Sequence, residues 1–220
     1  EFDNLFRKHL MNVYKFLDLD VPSQLFVPIL EEKVISPTLQ SGGLINPIID
    51  GEISYFYEWS ASGFYDVSRI GGTMHREETI TKGIYYGFNL DMLFLRIDTN
   101  LKLSDKIMQD FSFEINFIYP VLQKLSLKIP SEKEQSCQFC FSRMLDDFWQ
   151  DIENSSIHCA VKKIIEIKIP FATLLLKPED KTKILLTIKK NDDEVERWPL
   201  KGVIDIVVPT VEYEAIMWHV

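Results

Sequence analysis

Hydrophobic residues in this chain change their period once. Phe2, Leu5, Phe6, Leu10, Val13, Tyr14 and Leu17 recur at three- and four-residue steps, which lines one face of a helix. From residue 44 onward apolar residues recur at every second position, which lines one face of a strand. Pro22, Pro37 and Gly42-Gly43 lie between the two regimes and interrupt any continuous helix. The expected organisation is a helix and linker over residues 1–40 and a β domain over residues 41–220. A lone amphipathic helix must cover its apolar stripe. It is therefore read as the remnant of an upstream helical region, packed on the β domain or on helices that precede it.

The β region supplies its own strand boundaries. Ile53, Tyr55, Tyr57 and Trp59 alternate after an Asp50-Gly51 turn signal. Ile84, Tyr86 and Phe88 face Leu93, Leu95 and Ile97 across Asn89-Leu90-Asp91, as in a hairpin. Phe111, Phe113, Ile115 and Phe117 alternate, followed by Val121, Leu125, Leu127 and Ile129. Residues 136–141, 157–169, 183–189 and 203–208 are further strand candidates, and residues 144–153 read as a helical turn carrying Trp149. About nine strands without regular intervening helices predict a mainly β chain. The fold class expected is an antiparallel β-sandwich with a short N-terminal helical segment.

Charge and cysteine usage narrow the function. The 24 Lys and Arg against 33 Asp and Glu give a net charge of -9 with no basic run, which argues against nucleic acid as a partner. No apolar stretch reaches the ~20 residues of a membrane span, and the charged opening segment is unlike a secretory signal. Three cysteines are too few for a disulfide scaffold, so reduced thiols and a cytoplasmic setting are expected. Cys137 and Cys140 form a C-x-x-C, but positions three apart on a strand point to opposite faces. No metal site and no cofactor are expected. The chain opens on Glu1-Phe2 without an initiator Met, which reads as a piece of a longer polypeptide whose catalytic parts lie upstream.

Several segments carry a resemblance. Pro47-Ile48-Ile49-Asp50-Gly51-Glu52, Tyr57-Glu58-Trp59 and Gly71-Gly72-Thr73-Met74-His75-Arg76 resemble the C-terminal β-sandwich region of glycoside hydrolase family 57 proteins. Ile84-Tyr85-Tyr86-Gly87-Phe88 and Leu93-Phe94-Leu95-Arg96-Ile97-Asp98 are similar to its hairpin, and Glu166-Ile167-Lys168-Ile169-Pro170-Phe171 to a later strand. Glu196-Arg197-Trp198-Pro199 and Met217-Trp218-His219-Val220 resemble its closing signature, and Phe6 to Tyr14 the preceding helix. The Asp-Gly to Glu-Trp segment is also similar to family 9 carbohydrate-binding modules and DOMON-type sandwiches. The resemblance implies a parent enzyme acting on α-glucans, of the α-amylase or 4-α-glucanotransferase type, with two catalytic carboxylates on an upstream barrel. Neither catalytic segment is matched, and a retaining glycosidase needs two carboxyl groups ~5–5.5 Å apart. The expected function is thus a non-catalytic accessory domain, with no catalytic residue of its own. Its expected partners are the upstream catalytic barrel of the same polypeptide and an α-glucan.

Candidate sugar contacts are Trp149, Tyr57 and Trp59. Tyr55, Tyr57 and Trp59 on one strand face, ~6.8 Å apart, would form a stacking platform, although aromatics at such positions more often fill a sandwich core. Trp149 stands beside Asp146, Asp147 and Asp151, the setting of an exposed aromatic, with a loop anchor as the alternative. His75 is read as an exposed turn residue, with a sugar contact or proton transfer as the sharper alternative. Asp50, Glu52 and Asp66 offer oxygen ligands at spacings that match no calcium loop. Asn154-Ser155-Ser156 is a formal sequon, and Trp218 is expected to lock a last strand. Two further readings stand beside the accessory domain: a stand-alone carbohydrate-binding module, and a small enzyme acting through His75 and nearby carboxylates.

Overall fold

A computed structural model describes residues 2–27, 38–55, 57–67, 79–130, 137–153, 156–213 and 215. The chain divides into two compact units, Glu1–Ser36 and Pro37–Val220. In the first, the three- and four-residue spacing forms helix α1, Phe2–Phe16, followed by a 3-10 turn at Ser23–Phe26. Asp18 takes a left-handed φ of 55°. Its N–H bonds Lys15 O, and the Leu19 N–H bonds Tyr14 O at 3.0 Å, the paired closure that satisfies terminal carbonyls. Arg7 Nη1 donates to Leu25 O at 3.3 Å and holds the 3-10 turn against the helix.

The second unit is mainly β and forms two antiparallel sheets, the expected sandwich. Its strands are β1 Thr38–Leu39, β2 Gly63–Asp66, β3 Thr81–Phe88, β4 Met92–Thr99, β5 Phe111–Phe117, β6 Gln123–Lys128 and β7 Gln138–Leu145. They continue with β8 Phe148–Asp151, β9 His158–Val161, β10 Ile165–Pro170, β11 Lys181–Lys190, β12 Asp193–Trp198 and β13 Ile204–Val207. One sheet runs β1-β2-β3-β4-β10-β9 and the other β12-β11-β5-β6-β7-β8. One edge of β11 is shared in succession by β13, along Lys181 to Ile184, and β12, along Leu186 to Lys190.

Alternation decides what lies between the sheets. Ile84, Tyr86 and Phe88 on β3, Leu93, Leu95 and Ile97 on β4, and Ile165, Ile167 and Ile169 on β10 enter one core. From the other sheet come Phe113, Ile115 and Phe117, Leu125 and Leu127, Phe141, and Ile184, Leu186 and Ile188. The sheets are also tied at an edge. Glu196 on β12 accepts the backbone N–H groups of Ile80 and Thr81 at the start of β3, and the indole N–H of Trp198 at 2.9 Å.

Three expectations are corrected. The described residues of 53–59 do not form a strand: Glu58, Ser60 and Ser62 N–H groups bond the carbonyls of Tyr55, Tyr57 and Trp59, which makes successive turns. Residues 144–153 are not a helical turn but the β7–β8 hairpin, with Asp146 and Asp147 both at positive φ, 49° and 66°. Asp tolerates that conformation in a two-residue hairpin turn. The run 157–169 is two strands, β9 and β10, joined through Lys162 to Ile164.

Gly63 packs where a side chain has no room: a Cβ there would lie 2.3 Å from the Tyr86 ring. That ring is fixed by its hydroxyl, which donates to Leu39 O at 2.9 Å and so holds β1. Gly63→Ala is expected to cost about 1–3 kcal/mol in urea unfolding. Gly42→Ala, with nothing within 4 Å of its Cβ, is the matched control and should leave the midpoint unchanged.

Candidate functional site

Asp50, Gly51, Trp59, Tyr85, Arg96 and Glu166 meet on the outer face of the six-stranded sheet. With Ile165, Ile167 and Ile169 turned into the core, Glu166 must point outward, yet its exposure is 0%. The covering layer is the segment from Ser41 to Ser62, anchored where Ile45 N–H bonds Phe88 O at 2.9 Å. Ile45, Trp59 and Phe94 form a second apolar cluster there, with Ile49, Ala61, Tyr85 and Met92 against it.

Strand register sets a row of side chains across this face: Phe64, Tyr85, Arg96 and Glu166. Glu166 Oε2 accepts the N–H groups of Asp50 at 3.1 Å and Gly51 at 2.9 Å, and Oε1 accepts the Trp59 indole N–H at 3.1 Å. Burial pushes the Glu166 carboxyl above its usual value, the nearby Glu58 adds to the rise, and the three N–H donors oppose it. Arg96 lies 4.6 Å over the Tyr85 ring and makes two hydrogen bonds to Asp98, at 2.7 and 2.9 Å. Gly51 takes φ 76°, and a Cβ there would meet Lys162 N at 2.9 Å. Its carbonyl accepts the Lys163 and Ile164 N–H groups at 2.9 and 3.2 Å.

The neighbouring carboxylates are engaged locally. Asp50 accepts from Glu52 N and from the Ser54 hydroxyl, both at 2.8 Å, which holds its carboxyl below the usual range. Glu52 pairs with Lys163 at 2.7 Å, and Glu58 accepts the Ile48 N–H at 2.6 Å. Among the described residues no group of three or more His, Cys, Asp or Glu side chains is placed to hold a metal ion.

The aromatic residues separate. Trp59 is buried at 5% exposure with its N–H committed, so its ring offers no face to solvent. Tyr55 and Tyr57, weighed in the sequence between a stacking platform and the core, are exposed, with ring centroids 5.6 Å apart. Exposed Ile48 and Ile53 lie in the same segment.

Trp149 belongs to the other outer face. On edge strand β8 it pairs with Met144 and is 40% exposed. Lys124 Nζ lies 4.6 Å over its ring. Register places Glu114, Asn116, Lys124, Ser126, Ser142 and Asp151 on the same polar face. Lys189 pairs with Glu114 at 2.9 Å. The Ser142 hydroxyl donates to Asp151 at 2.7 Å and, with the Cys140 thiol, holds that carboxyl low. A hollow of about 540 Å³ lies along this edge, lined by Phe139, Cys140, Phe141, Asp151, Ile152 and Glu153. Its carboxylates disfavour anions.

Cys137 packs against the core while Cys140 is exposed and touches Ser142 Oγ at 3.6 Å, so the C-x-x-C thiols diverge. His75 with Gly71 to Arg76, Asn154-Ser155, and Met217 to Val220 with Trp218 lie outside the described residues. Sequence reasoning missed Glu166 and Arg96 as the centre of the site. The available signal was Leu93-Phe94-Leu95: an unbroken apolar run marks a strand buried on both faces.

Because Glu166 is raised in the folded state, that state binds its proton more readily than the unfolded chain does. This contribution to stability is fully present below the ordinary carboxylate value and is lost as pH rises through the raised one. Glu166→Gln sets an amide N–H₂ against N–H donors and should cost about 1–3 kcal/mol at pH 7. Urea melts at pH 4 should show a larger cost than at pH 7. Comparison with protein-family models, curated proteins and solved structures gives no match to this chain.

Proposed function

We propose that this chain is a non-catalytic accessory β-sandwich of a family 57-like glycoside hydrolase or glucanotransferase acting on α-glucans. In this reading it buttresses the catalytic barrel and contacts sugar. The observation that carries it is the use made of the residues bearing the resemblance. Asp50, Gly51 and Trp59 converge on Glu166, Arg96 on Asp98, and Trp198 on Glu196. These groups hold backbone and sheets together, so among them none stands free as a nucleophile or base. No helix among the described residues is long and apolar enough to cross a membrane. The free thiols suit a reducing compartment, the cytoplasm.

Sugar contact rests on surface aromatics. Sugar hydroxyls are already well solvated, so each hydrogen bond to protein yields only about 0.5–1.5 kcal/mol net. Flat C–H faces must supply the rest, and an indole covers one at little rotamer cost. Trp149 meets this need on a polar sheet face, once Lys124 swings from its ring. The exposed Tyr55 and Tyr57 pair favours a second reading, a stand-alone carbohydrate-binding module.

Trp149→Ala should abolish a calorimetric or NMR titration with maltoheptaose while leaving Tm nearly unchanged. Trp59→Ala should instead destabilise the fold by about 3–5 kcal/mol. Binding retained in the Trp149 variant but lost in Tyr55→Ala/Tyr57→Ala would move the contact to the second surface. No reducing sugar should be released from maltooligosaccharides; release that depends on Glu52 or Glu58 would overturn the non-catalytic assignment.

A further inference from the structure

We propose that the open edge of β8 is a docking site for an extended segment of another protein, cationic on one face and apolar on the other, which joins the seven-stranded sheet as a further antiparallel strand. β8 is the last strand of that sheet, and all four of its residues are exposed. The hairpin sets the direction of its backbone groups. Leu145 pairs with Phe148 around the turn at Asp146 and Asp147, and Ile152 N–H bonds Phe141 O at 2.7 Å. Hydrogen-bonded and non-bonded pairs alternate along an antiparallel ladder. Arg143 with Gln150 is therefore a bonded pair, whereas Met144 with Trp149 and Ser142 with Asp151 are not. Met144 N–H accordingly turns the other way and bonds Leu122 O at 2.9 Å. By the same alternation the N–H and C=O groups of Trp149 and Asp151 point away from β7, and among the described residues no strand pairs with them. Such a row of groups is a template for strand addition.

The side chains decide what fits there. Trp149 and Asp151 stand on the outer face, and Phe148, at 73% exposure, on the opposite one. A strand laid along the edge brings alternate side chains beside each set. Cations on one face then meet the Asp151 carboxylate, while apolar residues on the other cover Phe148. The hollow past Asp151 offers Phe139, Phe141 and Ile152 to the stem of a lysine or arginine and Glu153 to its head. Charge selects the same partner. Residues 144–153 contain Asp146, Asp147, Asp151 and Glu153 and no Lys or Arg. Two cations on neighbouring strands are already engaged: Lys124 lies over the Trp149 ring and 3.9 Å from Glu114, and Arg143 donates to Gln123 and to Thr173 O. A second copy of the chain would set these acids against each other, whereas a basic segment neutralises them. The docking uses the main chain of β8 and does not depend on the sugar contact proposed for the Trp149 ring.

The probe is a fluorescein-labelled peptide of alternating Lys and Val, titrated with the whole chain by fluorescence anisotropy. It should bind, and a peptide of alternating Glu and Val should not. With the Lys-Val peptide at saturation, NMR hydrogen exchange should slow by about tenfold at the Trp149 and Asp151 amides and stay unchanged at Gln150, which β7 already holds. In an antiparallel addition the residues opposite Trp149 and Asp151 share their face, so the peptide's Lys residues turn their main-chain N–H groups toward β8. Methylating those backbone nitrogens should abolish binding at unchanged charge, whereas methylating the backbone nitrogens of Val should leave it intact. Asp151→Asn with Glu153→Gln keeps an acceptor for Ser142 and should weaken binding by about fivefold. Absence of binding, binding indifferent to methylation at Lys, or unslowed exchange at Trp149 and Asp151 overturns the proposal. A dimer of the chain that protects those amides without peptide overturns it too.

Discussion

A carboxylate without access to water must find hydrogen-bond donors, and Glu166 finds them only in a segment more than a hundred residues away in sequence. Removing an ion from water costs several kcal/mol, whereas each hydrogen bond to a charged group returns about 1.5–3 kcal/mol. Three donors bring these terms close to balance. That the carboxyl still sits above its usual value says desolvation outweighs the donors. The consequence is geometric. To deliver two successive backbone N–H groups and an indole N–H, the Ser41 to Ser62 segment must lie across β4 and β10. Doing so buries Trp59 and Phe94 and leaves Tyr55 and Tyr57 outside.

The same device appears twice. Glu166 takes the N–H groups of Asp50 and Gly51 together with the Trp59 indole, and Glu196 takes those of Ile80 and Thr81 together with the Trp198 indole. The first fastens a covering segment to one sheet, and the second fastens one sheet to the other. In both, an apolar ring shields a charge while its one polar atom satisfies it. A structural use explains the presence of these residues without any chemistry.

Strands with one buried face were legible in the sequence, because burial is what writes alternation. Phe111 to Phe117, Leu125 with Leu127, and the Ile84 to Ile97 hairpin all lie where their period places them. Strands that bury few side chains were not. β12 carries Asp193, Glu194 and Arg197 in the open, and all four residues of β8 are exposed, so neither writes a pattern. The alternation of Ile53 to Trp59 misled for the opposite reason: Trp59 is buried by the demand of Glu166, not by a pleat. Trp149 was legible as exposed from its acidic neighbours. Glu166 was not, since Ile-Glu-Ile-Lys-Ile describes a solvated outer face unless a distant segment covers it.

Edge strand β8 shows what the exposed hairpin demands of its surroundings. Its outer backbone groups face solvent beside Phe148, which is 73% exposed, the combination that templates edge-to-edge aggregation. Asp146, Asp147, Asp151 and Glu153 crowd the same short stretch, so two copies approaching along this edge must bring their acids together. That repulsion reaches ~10 Å in 0.1 M salt but only ~3 Å in 1 M. Along this edge, protection against pairing between copies is therefore a matter of ionic strength as much as of sequence.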